Sequence, residues 1–256
     1  MSEVRVDRQH HCVTLTLDNP ARRNAMDAAL LASLEQEALA AARDESAKVV
    51  ILRGSGTRAF CSGADLDAMR APPVAASVAH MEALLKRAID AIGKIDVPVI
   101  AAIQGACIGG GVQLALCADI RVASGASTFA IPAAQVGLPY PFEALQKIAR
   151  LMGEGKAKAF LLGLQKLDAQ QAMLAGLIEV AAPPDDFEAT LATMTNAITG
   201  LPRDSAIAYK RMLSAIAAGD IESAMQSHAG LLAKGLYLSA LGDMPARKAS
   251  KSAGDV

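Results

Sequence analysis

Residues Ile103–Ala123 read IQGACIGGGVQLALCADIRVA, and the rest of the chain is best read outward from them. An apolar run closes at Gln104–Gly105, three glycines follow, then a short apolar helix and a second apolar run. Glycine has no Cβ, and the first turn of a helix has no internal acceptor for its N–H groups, so such a turn opens bare amides to a ligand. The helix dipole adds positive potential at the same point. The turn therefore suits a phosphate, or an oxygen that gains negative charge during a reaction. Taken alone it equally suits a tight turn that needs glycine for packing.

Phe60–Leu66, FCSGADL, repeats the design after the apolar run Lys48–Arg53 (KVVILR), which has the composition of a buried strand. A strand again leads through small residues and a glycine to exposed backbone, at Gly63–Ala64. Two N–H groups from two such turns can converge on one carbonyl oxygen, as an oxyanion hole requires.

Together the two stretches resemble the crotonase (enoyl-CoA hydratase/isomerase) superfamily. Asn19–Met26 (NPARRNAM) resembles the family's entry motif, and Asp96–Gly105 (DVPVIAAIQG) the strand before its second oxyanion loop. Phe160–Val180 (FLLGLQKLDAQQAMLAGLIEV) resembles its LTG-x-x-I-x-A-x-x-A-x-x-x-GLV segment. The resemblance implies an α/β fold: a crotonase-like spiral of ββα repeats that binds acyl-CoA over 1–182, then a C-terminal helical region over 183–256 that serves oligomerisation. It also implies a homotrimer or a dimer of trimers, with coenzyme A entering as part of the substrate and no separate cofactor.

The resemblance assigns roles by position. The amides of Ala64 and Gly110, the middle glycine of the triplet, would hold the thioester oxygen as it becomes an enolate, binding the charged form more strongly than the neutral one. Arg22, Arg23 and Ala25 fall where the family contacts the nucleotide end of CoA, and Asp65 and Leu66 flank the pantetheine channel. Cys61, Gly63, Met69, Gly109, Ala133 and Leu138 complete the expected acyl-CoA contacts. Met69, Leu84, Leu85 and the Val136–Phe142 loop are expected to set pocket depth.

The departures carry as much. Hydratases of this family have one glutamate three residues after the middle glycine and a second just after F-x-x-P; here those positions hold Gln113 and Ala133. Hydration needs one group to take a proton from water and another to protonate the α-carbon. Gln113 can orient water but cannot ionise, and Ala133 can do neither. A positioned acid or base contributes about 10²–10⁴ in rate, so efficient hydration by the usual mechanism is not expected. Tyr140 and Glu143 are the candidate replacements. The stretch STFAIPAAQVGLPYP (127–141) resembles methylmalonyl-CoA decarboxylases, which have a tyrosine in this G-x-P-Y context and no second glutamate. Decarboxylation needs an electron sink and no base to start it. Where those enzymes place a histidine after the first glycine, this chain has Ala64. Glu143 is either a relocated base for double-bond isomerisation or a helix-start carboxylate complementing the dipole.

Two other classes compete. Gly105–Gly109 (GACIG) fits a G-x-C-x-G nucleophile elbow, with Asp168 and His228 downstream, although His228 lies inside a helical pattern. A catalytically silent CoA-binding protein would also lack the glutamates.

Composition narrows the field. The chain has 256 residues, 52% hydrophobic and 20% charged, with net charge −1, which fits a globular protein and gives no electrostatic basis for a nucleic-acid partner. No apolar stretch approaches the roughly 20 residues that span a bilayer, and the N-terminus MSEVRVDRQHH lacks a signal-peptide core, so a cytoplasmic location is expected. Cys12, Cys61, Cys107 and Cys117 lack C-x-x-C spacing and read as reduced packing residues. His10, His11, His80 and His228 form no ligand pattern, and no metal is expected.

Periodicity supplies the elements. Cys12–Leu17 alternates as a half-buried strand, and Asp27 can cap a helix with Leu30, Leu31, Leu34 and Ala38 on one face. Pro72–Pro73 precede a helix over 76–92. Val97–Ile103, Ile120–Ala123 and Leu177–Ala181 read as strands. Beyond Pro183–Pro184, Phe187–Gly200, Asp204–Ala218 and Glu222–Leu238 read as helices and Arg247–Val256 as a mobile tail.

Overall fold

A computed structural model describes residues 2–238; the tail Arg247–Val256 lies outside the described residues. The chain opens with a hairpin, β1 (Glu3–Gln9) and β2 (Cys12–Asp18), paired antiparallel from Glu3↔Asp18 to Gln9↔Cys12. Its turn puts His10 and His11 at φ 47° and 67°, a geometry that matches the twist of paired strands. The sequence pattern does not mark β1, because its charged outer face masks the inward-facing Val4 and half-buried Val6. Helix α1 (Ala28–Ala42) follows, capped as expected by the Asp27 carboxylate, which accepts from the Leu30 N–H at 2.8 Å.

Three successive units then share one plan. β3 (Val49–Gly54) and β4 (Ala59–Cys61) lead to α2 (Leu66–Arg70) and α3 (Val74–Gly93). β5 (Val99–Ile103) and β6 (Ala106–Ile108) lead to α4 (Gly110–Cys117). β7 (Ile120–Ser124) and β8 (Thr128–Ala130) lead to α5 (Phe142–Met152) and α6 (Glu154–Leu162). β9 (Leu167–Asp168), α7 (Ala169–Ala175) and β10 (Val180–Ala182) close the series, followed by α8 (Phe187–Thr199), α9 (Arg203–Ala218) and α10 (Ile221–Ala233). The longer strand of each pair joins a six-stranded sheet in the order β1-β2-β3-β5-β7-β10, parallel from β2 onward. The shorter strand joins a four-stranded sheet in the order β4-β6-β8-β9, with β9 antiparallel. This is the spiral of ββα repeats that the resemblance implies.

Burial explains why the apolar runs in the middle strands are unbroken. Successive residues of a strand face opposite ways, and both faces of the large sheet are covered. Val50 and Leu52 of β3 enter the main core with Leu15, Phe60 and Ile103. Their neighbours Val49 and Ile51 enter a second cluster with Ile100, Val122, Phe187 and Leu191, the last two contributed by α8. The strand expected over Leu177–Ala181 begins only at Val180. Gly176 ends α7 at φ 84°, and the Leu177 N–H turns back to the Ala172 carbonyl at 2.8 Å, so Leu177 and Ile178 are buried ahead of the strand. The chain divides into two compact units, Met1–Ile207 and Ala208–Val256, the boundary falling within α9. Among the described residues no helix is long and apolar enough to cross a membrane.

Candidate active site

The site is a consequence of β4 and β6 being parallel neighbours. Cys61 pairs with Cys107, so both strands end at the same edge of the small sheet and their following turns emerge side by side. Ala64 lies three residues past Cys61, and Gly110 three past Cys107. The distances agree: a Cβ built on Gly110 would lie 3.6 Å from the Ala64 nitrogen, and one on Gly63 would lie 3.6 Å from the Gly110 nitrogen.

Both amides are available for reasons of local geometry. Ala64 forms an isolated parallel bridge with Met26, in which the Met26 N–H donates to the Gly63 carbonyl and the Asp65 N–H to the Met26 carbonyl, each at 2.8 Å. The Ala64 N–H takes no part in that bridge and points the other way. Gly110 is the first residue of α4, where an N–H has no acceptor within the helix. The three glycines have separate tasks. Gly109 turns the chain at φ 53° and ψ −115°, Gly110 makes room for the Met26 side chain, and Gly111 lets α4 approach the Cys61 carbonyl more closely than a Cβ would allow. Gly63 holds φ 102° on the opposite turn.

The walls come from other elements. A Cβ on Gly110 would meet the Met26 Cε at 2.6 Å and the Leu85 Cδ2 at 3.7 Å. Met69, Leu84, Leu85, Ala133 and Tyr140 pack as half-buried residues against the main core. The Gly109 N–H donates to the Ala130 carbonyl at 2.8 Å, which anchors the end of β8 to the glycine turn, with Ala133 three residues farther on. Gln113 is half-buried on the first turn of α4, and its N–H donates to the Gly109 carbonyl at 3.2 Å. The Tyr140 hydroxyl donates to that same carbonyl at 2.9 Å. Burial raises the Tyr140 pKa well above its ordinary value. Leu138 is half-buried in the preceding turn, its N–H donating to the Ala133 carbonyl at 3.1 Å.

The Asn19–Met26 turn lies along the first amide turn. The carbonyls of Arg22 and Arg23 accept from the Ser62 hydroxyl and N–H at 3.2 and 3.1 Å. The Arg22 guanidinium bridges the carboxylates of Asp65 and Asp67. Asp65 in turn caps α2, accepting from the Asp67 and Ala68 N–H groups at 3.0 and 3.4 Å. Ala25 is half-buried, Arg23 is exposed, and Leu66 stands 59% exposed beside the turn. Glu143 is exposed in the first turn of α5. It lies near enough to Lys86 to add to the rise in that lysine's pKa, which comes chiefly from the Asp90 carboxylate.

Several contributors escaped the reading of the sequence. Asn24 is buried and makes four side-chain bonds that hold its turn against Ser55 and Ala59. Two cations finish the far end of α4. Lys147 Nζ donates to the Leu116 and Ala118 carbonyls, and the buried Arg121 donates to the Ala118 carbonyl at 3.1 Å while pairing with Glu179. They complement the negative end of the helix that presents Gly110. No local signal marked either cation. The Gly105–Gly109 elbow does not form, because Cys107 lies buried within β6 and burial holds its thiol pKa well above the ordinary value. Among the described residues no group of histidine, cysteine or carboxylate side chains could hold a metal ion.

Comparison with known proteins bears on the family and the fold. The family model for enoyl-CoA hydratase/isomerase matches residues 7–234. The 2,3-dehydroadipyl-CoA hydratase of Escherichia coli (strain K12) is 37% identical over 185 residues, covering 72% of this chain and 71% of that protein. A probable enoyl-CoA hydratase of Mycobacterium leprae (strain TN) is 34% identical over 225 residues, 87% of this chain and 86% of its own. The crystal structure of an enoyl-CoA hydratase from Bacillus anthracis superposes with a TM-score of 0.87 at 26% identity, covering 94% of this chain and 95% of that one. A match of this extent, on a spiral that brings two glycine turns to one sheet edge, leads to one assignment: the chain belongs to the enoyl-CoA hydratase/isomerase family of the crotonase superfamily.

Proposed function

We propose that this protein binds an acyl-CoA thioester with its carbonyl oxygen between the Ala64 and Gly110 amides, and that its reaction passes through the thioester enolate. The observation that carries this reading is the approach of the two amides, each within 3.6 Å of a Cβ built on the opposing turn. When a bond at the α-carbon gives up its electron pair, the charge moves to the thioester oxygen, and fixed N–H donors stabilise that state more than the neutral substrate. Coenzyme A is then part of the substrate, and no further cofactor is needed. Arg22, Arg23 and Ala25 would face its nucleotide end, and Asp65, Leu66, Met69 and Leu138 would line its path; the Cys61 side chain is fully buried at the end of β4.

The same reading makes the protein a poor hydratase. The relatives named as hydratases favour hydration as the class of reaction, but Gln113 and Ala133 leave it without an ionisable pair. Decarboxylation uses the same amide pair and needs no base to start it, since loss of CO2 leaves the electron pair for the enolate; double-bond isomerisation needs a base to take the proton, and Glu143 is the carboxylate closest in sequence to the loop that would serve it. A silent CoA-binding protein would share the binding site without turnover. The C-terminal helices would serve a homotrimer or a dimer of trimers, and the protein would act in the cytoplasm.

Purified protein offered a panel of enoyl-, 3-hydroxyacyl- and malonyl-type CoA thioesters, with products read by mass spectrometry, tests the reaction class. Turnover of a malonyl-type or enoyl thioester without hydration is expected. The double change Gln113→Glu with Ala133→Glu should raise hydration of crotonyl-CoA by about 10²–10⁴. A wild-type hydration kcat/KM of roughly 10⁶ M⁻¹s⁻¹ or more would overturn the reading. So would an unchanged acyl-CoA affinity in a folded Gly110→Val variant, whose branched side chain would stand where the thioester must lie.

A further inference from the structure

A single peptide group joins Gly109 to Gly110, and its two ends have different partners. Its N–H belongs to Gly110 and is one of the two amides assigned to the thioester. Its carbonyl belongs to Gly109 and accepts three hydrogen bonds: from the Tyr140 hydroxyl at 2.9 Å, the Val112 N–H at 3.0 Å and the Gln113 N–H at 3.2 Å. The last two come from the helix's own first turn. The first comes from outside it, from the loop between β8 and α5.

The orientation of this peptide needs to be held. Gly109 sits at φ 53° and ψ −115°, and with glycine on both sides the peptide can rotate about its flanking bonds with little steric resistance. A half-turn would aim the Gly109 carbonyl where the Gly110 N–H now points, replacing a donor to the thioester by a repelling acceptor. An external bond to the carbonyl opposes that rotation. Such a bond also polarises the amide: hydrogen bonds in series strengthen one another by about 10–30% each, so a donor on the carbonyl makes the N–H at the other end a stronger donor.

We propose that Tyr140 is a positioning residue for the oxyanion-binding amide. Its hydroxyl latches the Gly109–Gly110 peptide in the orientation that presents the Gly110 N–H, and it polarises that N–H. The inference rests on the reading of Ala64 and Gly110 as the thioester donors. It departs from the expectation that Tyr140 replaces one of the missing glutamates, since the hydroxyl proton is directed at a main-chain oxygen. Burial among Cys107, Cys117 and the first turn of α4 keeps the phenol in its donating, protonated form.

The test reads the donor strength of the hole directly. Acetyl-CoA labelled with carbon-13 at the thioester carbonyl is bound to the full-length protein, and the carbonyl stretch is followed by isotope-edited infrared spectroscopy. On wild-type protein the band should move to lower frequency relative to free acetyl-CoA. On Tyr140→Phe, acetyl-CoA should still bind, with affinity reduced less than about tenfold as for loss of one neutral hydrogen bond, and most of the downshift should disappear. Placing 3-fluorotyrosine at position 140, a more acidic phenol, should push the band below its wild-type position. A side chain that merely filled space would change melting temperature and affinity without a graded response to donor strength. Equal downshifts in wild type and Tyr140→Phe would overturn the inference and leave the donor assignment standing. If Tyr140→Phe fails to fold, the fluorotyrosine protein decides, and an unmoved band overturns the inference. A wild-type complex with no downshift, or no binding of acetyl-CoA at all, would instead overturn the assignment of Ala64 and Gly110, and this inference with it.

Discussion

Asn24 is only 1% exposed, yet both ends of its amide are satisfied. Its Oδ1 accepts from the Asn19 N–H and the Ser55 hydroxyl, and its Nδ2 donates to the Ser55 and Ala59 carbonyls at 3.1 and 2.8 Å. Asn24→Ala would leave those two carbonyls buried without their donor. At about 1–3 kcal/mol for each buried group left unsatisfied, the loss should be roughly 2–6 kcal/mol, read as a lower urea midpoint with unchanged slope. The buried thiols make a second case. Burial pushes the Cys61 pKa up to about 12, and that of Cys107 well above its ordinary value. A folded-state pKa above the unfolded value, about 8.5 for a thiol, means stability that is intact below pH ~8.5 and lost as pH rises toward the folded value. Denaturant midpoints should therefore fall above pH ~8.5, and Cys61→Ala should make that fall shallower. In native protein near pH 8, Cys61 and Cys107 should resist a thiol-specific reagent and react only after unfolding. Rapid labelling of either would contradict their burial.

Helix ends decide how the secondary structure is anchored. Asp27 begins α1 by accepting from the Leu30 N–H at 2.8 Å, and it also accepts from the Ser2 hydroxyl at 2.6 Å. Asp27→Ala should lower stability by about 1 kcal/mol, and Asp27→Asn by less, since asparagine also caps well; thermal melts of the two variants would show the order. Asp168 performs the same task for α7 within a full capping box with Gln171, a pairing that the D-x-x-Q spacing of residues 168–171 carries in plain view. α4 differs, because no side chain caps its start. Its start is left open at Gly110, and its finish is held by Lys147 and Arg121 from α5 and β7.

The spiral makes one edge of the small sheet the meeting point of turns that are distant in sequence, and the main core beneath it is continuous from Val4 to Ile178. The C-terminal helices are different in kind. Within the second unit, Leu213, Ile216, Ile221, Met225 and Leu232 of α9 and α10 are each more than half exposed. Apolar surface of this extent on a helix pair fits the proposed trimer contact, in which copies of the chain cover it. Sedimentation equilibrium at micromolar concentration should give about three or six times 26.4 kDa, and a lone 26.4 kDa species would refute the oligomer.

The family was legible through the motifs that resemble it, and that resemblance implied the α/β spiral; the strands, the first helix start and the two glycine turns were legible because each depends on local rules. Apolar runs mark strands buried on both faces, Asp27 marks a helix start, and three glycines in a row mark a backbone that must come close to something. The absence of the hydratase glutamates was equally legible, because Gln113 and Ala133 can be counted from the glycines. Other features depend on residues far apart in sequence meeting through the sheet. Cys61 and Cys107 become neighbours only through the register of β4 on β6, and that register brings the Ala64 and Gly110 amides together. The hydroxyl of Tyr140 finds the Gly109 carbonyl 31 residues back, and Asn24 finds Ser55 and Ala59. β1 carries no such signal, because its outer face is polar and a half-buried edge strand shows too little apolar contrast to stand out. Hydrophobic pattern and glycine placement are properties of short segments, whereas hydrogen-bond partners are chosen by packing, which no short segment contains.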